Sequence, residues 1–383
     1  MPINVFNAAL NEFARKYLVV GKEPLSSQEE RLFKVRFNEK VAEFIEQLLL
    51  FETLTLKVYG ENIPLTVLIN TFGLRGVEEL LECNGLKFML WSNEIVYTKT
   101  HIPHIIPIST MGYSSSVHSD PEASITSGLE WLKNKPSKLA IKALIRKAVN
   151  SYILPDNSLT EKAKNATIQH YSENRLVDFG LNSKTDIMEL DENKRKVLGV
   201  ICNSMHETFV MGNYDLSIFN AEDHFLLALD SFNQIMQAQI AYKNFYEISK
   251  IEKVNSIKEL LLNGKISIKQ ALKLRSNPAS LKFRDWLADN LNTAKSREEI
   301  INAYVNSLVK PSGFFRTTSA RILKPVSLTI LSTYIGSNFA NPNIGLGIGI
   351  SLSIFDEFIL NKMTAGWTPK LFMTKIIKEI EKK

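Results

Sequence analysis

Apolar side chains recur at helical spacing through Phe33, Phe37, Val41, Phe44, Ile45 and Leu48, which predicts a helix running to Phe51. Ser26 and Ser27 ahead of Glu29 and Glu30 supply its start, because a hydroxyl and a first-turn acid satisfy free amide donors. Residues 5–18 show the same helical spacing. The period then changes. Residues 53–59, TLTLKVY, alternate and are β-branched, so they read as a strand. Pro64 opens a short helix ending near Gly73, and a second from Val77 to Cys83 is closed by Asn84-Gly85, suited to a left-handed cap. Residues 86–91 and 94–100 flank Ser92-Asn93 and predict a β-hairpin.

Residues 101–121, rich in proline, serine and glycine, read as a loop or domain boundary. Beyond them the pattern is almost wholly helical. Helices are expected from Pro136 to Tyr152, Lys194 to Met211, Asn220 to about Lys250, Ser267 to Leu274 and Ala279 to Leu291. Ser296 with Glu299 caps a further one, and Thr368-Pro369 begins the last. The expected class is α+β. Its parts are a small α+β module at 1–110, a linker at 111–135, a helical body at 136–312, and a hydrophobic hairpin with a terminal amphipathic helix at 313–383.

The pattern breaks most sharply at 325–355, where no charged side chain occurs. Lys310, Arg316, Arg321 and Lys324 lie just upstream, and Asp356 and Glu357 follow at once. Three readings fit. As helices, 326–340 and 344–355 form a hairpin about Asn341-Pro342-Asn343. Gly345, Gly349 and Ser353 then allow close helix contact in lipid, and Arg316, Arg321 and Lys324 hold the headgroup side. As strands, Ile344, Leu346, Ile348, Ile350, Leu352 and Ile354 alternate with glycine and serine, as in a membrane β-hairpin contributed to an oligomeric pore. As core, the segment is the buried centre of a soluble helical domain.

Charge adds one candidate surface. The net charge of +6 favours an anionic partner. No acid occurs between Glu130 and Asp156, and Lys138, Lys142, Arg146 and Lys147 fall opposite Ile141, Leu144, Ile145, Ala148 and Val149 on a helix. That face is the expected anion-binding site, for an oligonucleotide or a phospholipid. The start of the chain carries Glu12 and lacks a continuous apolar run, so it reads as cytosolic and not as a signal peptide. Cys83 and Cys202 are expected to be buried thiols, too few for a disulfide framework.

No recognisable catalytic motif is present. His101, His104, His118 and Asp120 share one loop, but Pro103 extends it and no cysteine completes a structural metal site. Met205-His206-Glu207 lacks the second histidine of a zinc hydrolase helix. Asp186, Glu189, Asp191, Glu192 and Lys194 match a metal nuclease loosely and a solvated helix start better. Glu222-Asp223-His224 reads as a dipole-compensating first turn. Gly345, Gly347 and Gly349 lack the lysine of a phosphate loop. No enzyme, metal or cofactor is therefore expected.

IFDEFILNKMTAGWTP and KFRDWLADN resemble segments of uncharacterised bacterial proteins encoded near phage-defence genes. The order of modules resembles abortive-infection effectors that damage the host membrane. The likeness carries no catalytic motif and transfers no site. It implies an oligomeric bacterial effector, cytoplasmic with inner-membrane association, whose hairpin acts on the membrane under control of an anionic ligand sensed upstream. The alternative is a soluble nucleic-acid-binding or scaffold protein with the hairpin as core.

Overall fold

The structure, a computed structural model, describes residues 3–18, 25–100, 102–218, 237–251, 255–293 and 372–376. Two compact units divide the chain, Pro2–Ile240 and Ala241–Lys383.

The first unit is built on a five-stranded parallel sheet. Its strands are β1 (Asn4–Asn7), β2 (Thr53–Val58), β3 (Leu86–Leu90), β6 (Tyr152–Ile153) and β7 (Ser217–Ile218), in the order β6-β3-β2-β1-β7. Between them run α1 (Ala9–Leu18), α2 (Ser27–Leu50), α3 (Ile63–Glu82), α4 (Pro121–Leu129), α5 (Lys138–Val149), α6 (Ser158–Ser172) and α7 (Glu192–Asn213). The mixed α and β class with a mainly helical remainder is as expected. The sheet draws on residues 4–218, so strand pairing continues well past residue 110.

Local chemistry explains most boundaries. Ser26 caps α2 in a reciprocal capping box with Glu29. Gly73 breaks α3 with φ 74°, which divides it into the two helices the sequence predicts. Asn84 closes the second with φ 53°. Ser137 caps α5 through the Ala140 amide, and Asp191 caps α7 through the Lys194 amide.

Three expectations fail. Val5 and Phe6 lie in β1 and not in a helix, because the chain there pairs on both sides with β2 and β7. The hairpin at 86–100 does not form. β3 pairs in parallel with β2 and β6, while β4 (Asn93–Tyr97) pairs antiparallel with β5 (Ile108–Gly112), from within the presumed linker loop. A two-residue turn brings adjacent strands together only if both belong to one sheet. Cys83 is exposed at the end of α3, whereas Cys202 is buried and its thiol is pushed up to about 11 by burial.

Side-chain alternation decides what each sheet face meets. Phe6, Met89 and Trp91 are buried in one cluster with Leu159 of α6 and Val210 and Met211 of α7. The register sets Thr55 and Lys57 of β2 in the same face. Helices α1, α2 and α3 also contact β2. All six β2 side chains are therefore buried, as a covered parallel sheet requires. At the carboxyl end of β2 the fold closes tightly. A Cβ on Gly128 of α4 would lie 2.5 Å from the Asn62 carbonyl oxygen, so only glycine fits that approach. Asn62 caps α3 through the Leu65 amide and donates to the Tyr152 hydroxyl at 2.7 Å.

Helix α8 (Gln237–Ile251) crosses the division at Ile240, and α9 (Ile257–Leu262), α10 (Ile268–Arg275) and α11 (Pro278–Thr293) follow in the second unit. Phe283 stacks on Phe372 at 4.4 Å and meets Phe245 edge-on at 6.1 Å. Of the expected helix from Asn220 to about Lys250, the part before Gln237 lies outside the described residues, as do the capping box at Ser296 and the whole of 313–371.

Candidate functional site

Because the five strands are parallel, their carboxyl ends share one edge, where open α/β sheets hold their ligands. The side chains gathered there are chemically unlike the apolar sheet beneath them. Lys57, at the end of β2, is 5% exposed. Its ammonium donates to the Glu207 carboxylate of α7. It also lies 4.4 Å from the Trp91 ring centroid and 5.0 Å from that of Tyr59. Burial by itself would lower the Lys57 ammonium, but the Glu207 carboxylate and Tyr59 outweigh it and hold the group above its ordinary value.

His206 adjoins Glu207 on α7. Its ring lies 4.7 Å from that of Trp91, and Nε2 shares a hydrogen bond with Thr160 Oγ1 of α6 at 3.0 Å. Burial, and then the charge of Lys57, push His206 down to about 4, so the imidazole is neutral at pH 7. Lys57 and His206 thus share Trp91 as a neighbour and are driven in opposite directions, one fixed as a cation and the other as a neutral base. Such divergence marks sites that bind or move protons.

A small, half-open recess, with enclosed room for about one water molecule, is lined by Trp91 and His206 of this group. Its floor is the buried Trp91, Thr160 and His206, and its rim includes Ser92, Asn93, Asp156 and Asn157. Asn157 Oδ1 accepts from Ser92 Oγ at 3.1 Å and from Asn93 Nδ2 at 2.6 Å, which ties the exit of β3 to the start of α6. Beside it, Arg15 of α1 pairs with Glu61 at 3.3 Å and lies 5.6 Å from the Tyr59 ring. Tyr113 donates to Glu94 and stacks on His118 at 4.1 Å. Burial, and then the Glu94 carboxylate, push the Tyr113 hydroxyl up.

The residues singled out by sequence lie elsewhere. Lys138, Lys142 and Arg146 are exposed on α5 and make no ion pair with a described residue. Lys147 is different, since Glu82 at 2.8 Å and Glu78 at 3.2 Å, both of α3, neutralise it. Arg316, Arg321, Lys324, Gly345, Gly349 and Ser353 lie outside the described residues, as do His101 and Glu222-Asp223-His224. Asp120 caps α4, Asp186 caps the turn at Met188, and Asp191 caps α7 and pairs with Lys194 at 3.4 Å. Among the described residues no cluster of histidine, cysteine, aspartate or glutamate could hold a metal ion.

Sequence reasoning missed Lys57, Trp91, Thr160, and the joint role of His206 and Glu207. Lys57 alternates with Leu56 and Val58, so it reads as the outward side of a half-exposed strand. A cation becomes informative there only once both sheet faces are known to be covered. No family model matches this chain, nor does any curated protein or solved structure.

Proposed function

We propose that residues 2–240 bind a small polar ligand at the carboxyl edge of the parallel sheet, and that occupancy there controls the apolar segment at 325–355. The output is that of an oligomeric bacterial effector acting on the inner membrane. One observation carries the input half: neutral His206 lines a small recess at the strand ends, and the buried Lys57–Glu207 pair packs against Trp91 of the same lining. Two buried charges are a poor way to stabilise a core, since apolar residues of similar size do as well or better. Their place at the strand ends fits ligand chemistry instead. The uncharged run with its basic shoulder supports the output half. Among the described residues no helix is long and apolar enough to cross a membrane, and 325–355 lies outside them.

Expression of the full chain in a bacterial host tests both halves. The wild type should slow growth and sediment with membranes. Ile348→Asp should remain folded but be harmless and soluble. Lys57→Met/Glu207→Gln should fold and change the onset of toxicity. A harmless, wholly soluble wild type, or an Ile348→Asp protein that melts early as if a core charge had been buried, overturns the membrane output.

A second reading, of a soluble nucleic-acid-binding protein, is favoured by the exposed cations of α5 that pair with no acid among the described residues. Lys138, Lys142 and Arg146 lie on successive turns and could follow a phosphate backbone. Three phosphate contacts to a single strand give a log–log salt slope of roughly −2. Reversal of these three charges should abolish retention of a short oligonucleotide. Unchanged retention rules the face out, and displacement of the oligonucleotide by anionic vesicles would identify the face as a lipid contact.

A further inference from the structure

We propose that the loop joining β4 to β5 inserts Ile102, Ile105 and Ile106 into the headgroup layer of an anionic lipid surface. The first unit then has a membrane contact of its own. This rests on the membrane output proposed above, which it extends beyond 325–355.

Burial divides the isoleucines of this ribbon into two sets. Ile95 and Ile108 are 4% and 1% exposed and pack in one cluster with Leu198, Ile201 and Cys202 of α7. Ile102, Ile105 and Ile106 are 47%, 46% and 44% exposed. Tyr97 and Ile108 form the last pair of the ribbon, so the exposed three lie in its connecting loop. The root of that loop is fixed. The Thr98 amide donates to the Pro107 carbonyl at 2.9 Å, and the buried Arg195 donates to Thr98 Oγ1 at 3.3 Å. At the tip the Ile105 amide donates to the Ile102 carbonyl at 3.1 Å, which closes a turn centred on Pro103 and His104. Proline followed by a left-handed residue, here His104 with φ 66°, is the pattern of a type II turn. The loop therefore holds its apolar side chains out on a set backbone.

Backbone polarity, charge and area all favour lipid as the occupant. Pro103 and Pro107 have no amide hydrogen, and the amides of Thr98 and Ile105 are already bonded, so entry into an apolar layer strips water from few donors. No acid occurs from Ile95 to Ser119, and Lys99 supplies a fixed cation whose stem can lie along the apolar layer with its ammonium among anionic headgroups. A second copy of the chain is the main rival. Three side chains less than half exposed fall well short of the roughly 800 Å² per partner that a stable protein interface buries. A single apolar anchor binds a membrane weakly and reversibly, and stable attachment takes a second signal. The uncharged run at 325–355 supplies that signal in the same chain, and the tip orients the first unit against the surface.

A polarity-sensitive dye attached through Ile106→Cys in the full chain tests the contact. Cys83→Ser removes the exposed native thiol, and Cys202 is buried. With vesicles of equal parts phosphatidylcholine and phosphatidylglycerol, the dye emission should shift to the blue and be quenched by spin labels on the lipid chains. Ile102→Asp/Ile105→Asp should lower the vesicle-bound fraction at limiting lipid by about ten-fold, as expected when one of two linked contacts is lost, with an unchanged melting temperature. A silent dye on a chain that floats with the vesicles overturns the tip contact and leaves the membrane output at 325–355 standing. A blue shift on concentrating the protein without vesicles identifies a second copy as the occupant and also overturns it. Early melting of the double aspartate variant would show that these isoleucines are core, with the same consequence. A silent dye on a chain that does not float defeats both the tip and the membrane output.

Discussion

Lys57→Met should lower the stability of the first unit by about 3–5 kcal/mol, because it leaves the Glu207 carboxylate buried without its cation. Thermal unfolding should show a midpoint depressed by roughly 10 °C, since one kcal/mol shifts a unit of this size by about 2–4 °C. The informative comparison is the double variant. Lys57→Met/Glu207→Gln removes both charges and should regain most of the loss, to within about 1–2 kcal/mol of wild type. The coupling between the two sites is thus expected to be large and favourable in a double-mutant cycle. A Lys57→Met protein that melts with the wild type would show that the ammonium is solvated and that the pair has no special place in the site. The alkaline limb follows the same physics. Lys57 is raised in the folded state, so its contribution is complete below its unfolded value of 10.5 and disappears only as pH rises through the higher folded value.

His206 gives the second large effect, with the opposite sign. Its unfolded value is 6.5 and its folded value about 4, so between those limits the unfolded chain binds the extra proton. Stability is complete above pH 6.5, falls as pH drops toward 4, and levels off below. The gap between 6.5 and about 4 corresponds to roughly 3 kcal/mol. Urea titrations at pH 7.5 and pH 4.5 should differ by most of this amount, after the shared background of the carboxylates is subtracted using His206→Gln. That variant should have a flatter profile across the same window. Equal slopes for wild type and variant would mean that His206 is hydrated and protonates freely, and the neutral base lining the recess would be lost with it. Protonation places a second cation beside Trp91, near Lys57, so ligand binding at the carboxyl edge of the sheet should weaken over the same range.

Much of the local structure was legible in the residues themselves. The capping box at Ser26 and Glu29, the left-handed Asn84 and the break at Gly73 each depend on a few neighbours, and each stands where the pattern put it. The hairpin at 86–100 shows where that logic ends. Ser92-Asn93 is a sound turn between two apolar runs, yet β3 pairs with β2 and β6, and β4 with β5. Strand pairing is a choice among distant partners, and short-range turn chemistry cannot rank them. The two-residue strands β6 and β7 are too short to leave a periodic signal at all.

The candidate site was hidden for a related reason. Lys57, Trp91, Thr160, His206 and Glu207 lie up to 150 positions apart, and none forms a spaced motif with another. By itself the sequence determined helix starts and stops, the mixed class, the basic face of α5 and the uncharged run at 325–355, because each is fixed by side chains within a few turns of one another. Only the tertiary structure decided that the sheet is parallel and covered by helices from both sides of the sequence. That covering turns an alternating lysine into a buried cation, and it brings a carboxylate and an imidazole from α7 to the end of β2.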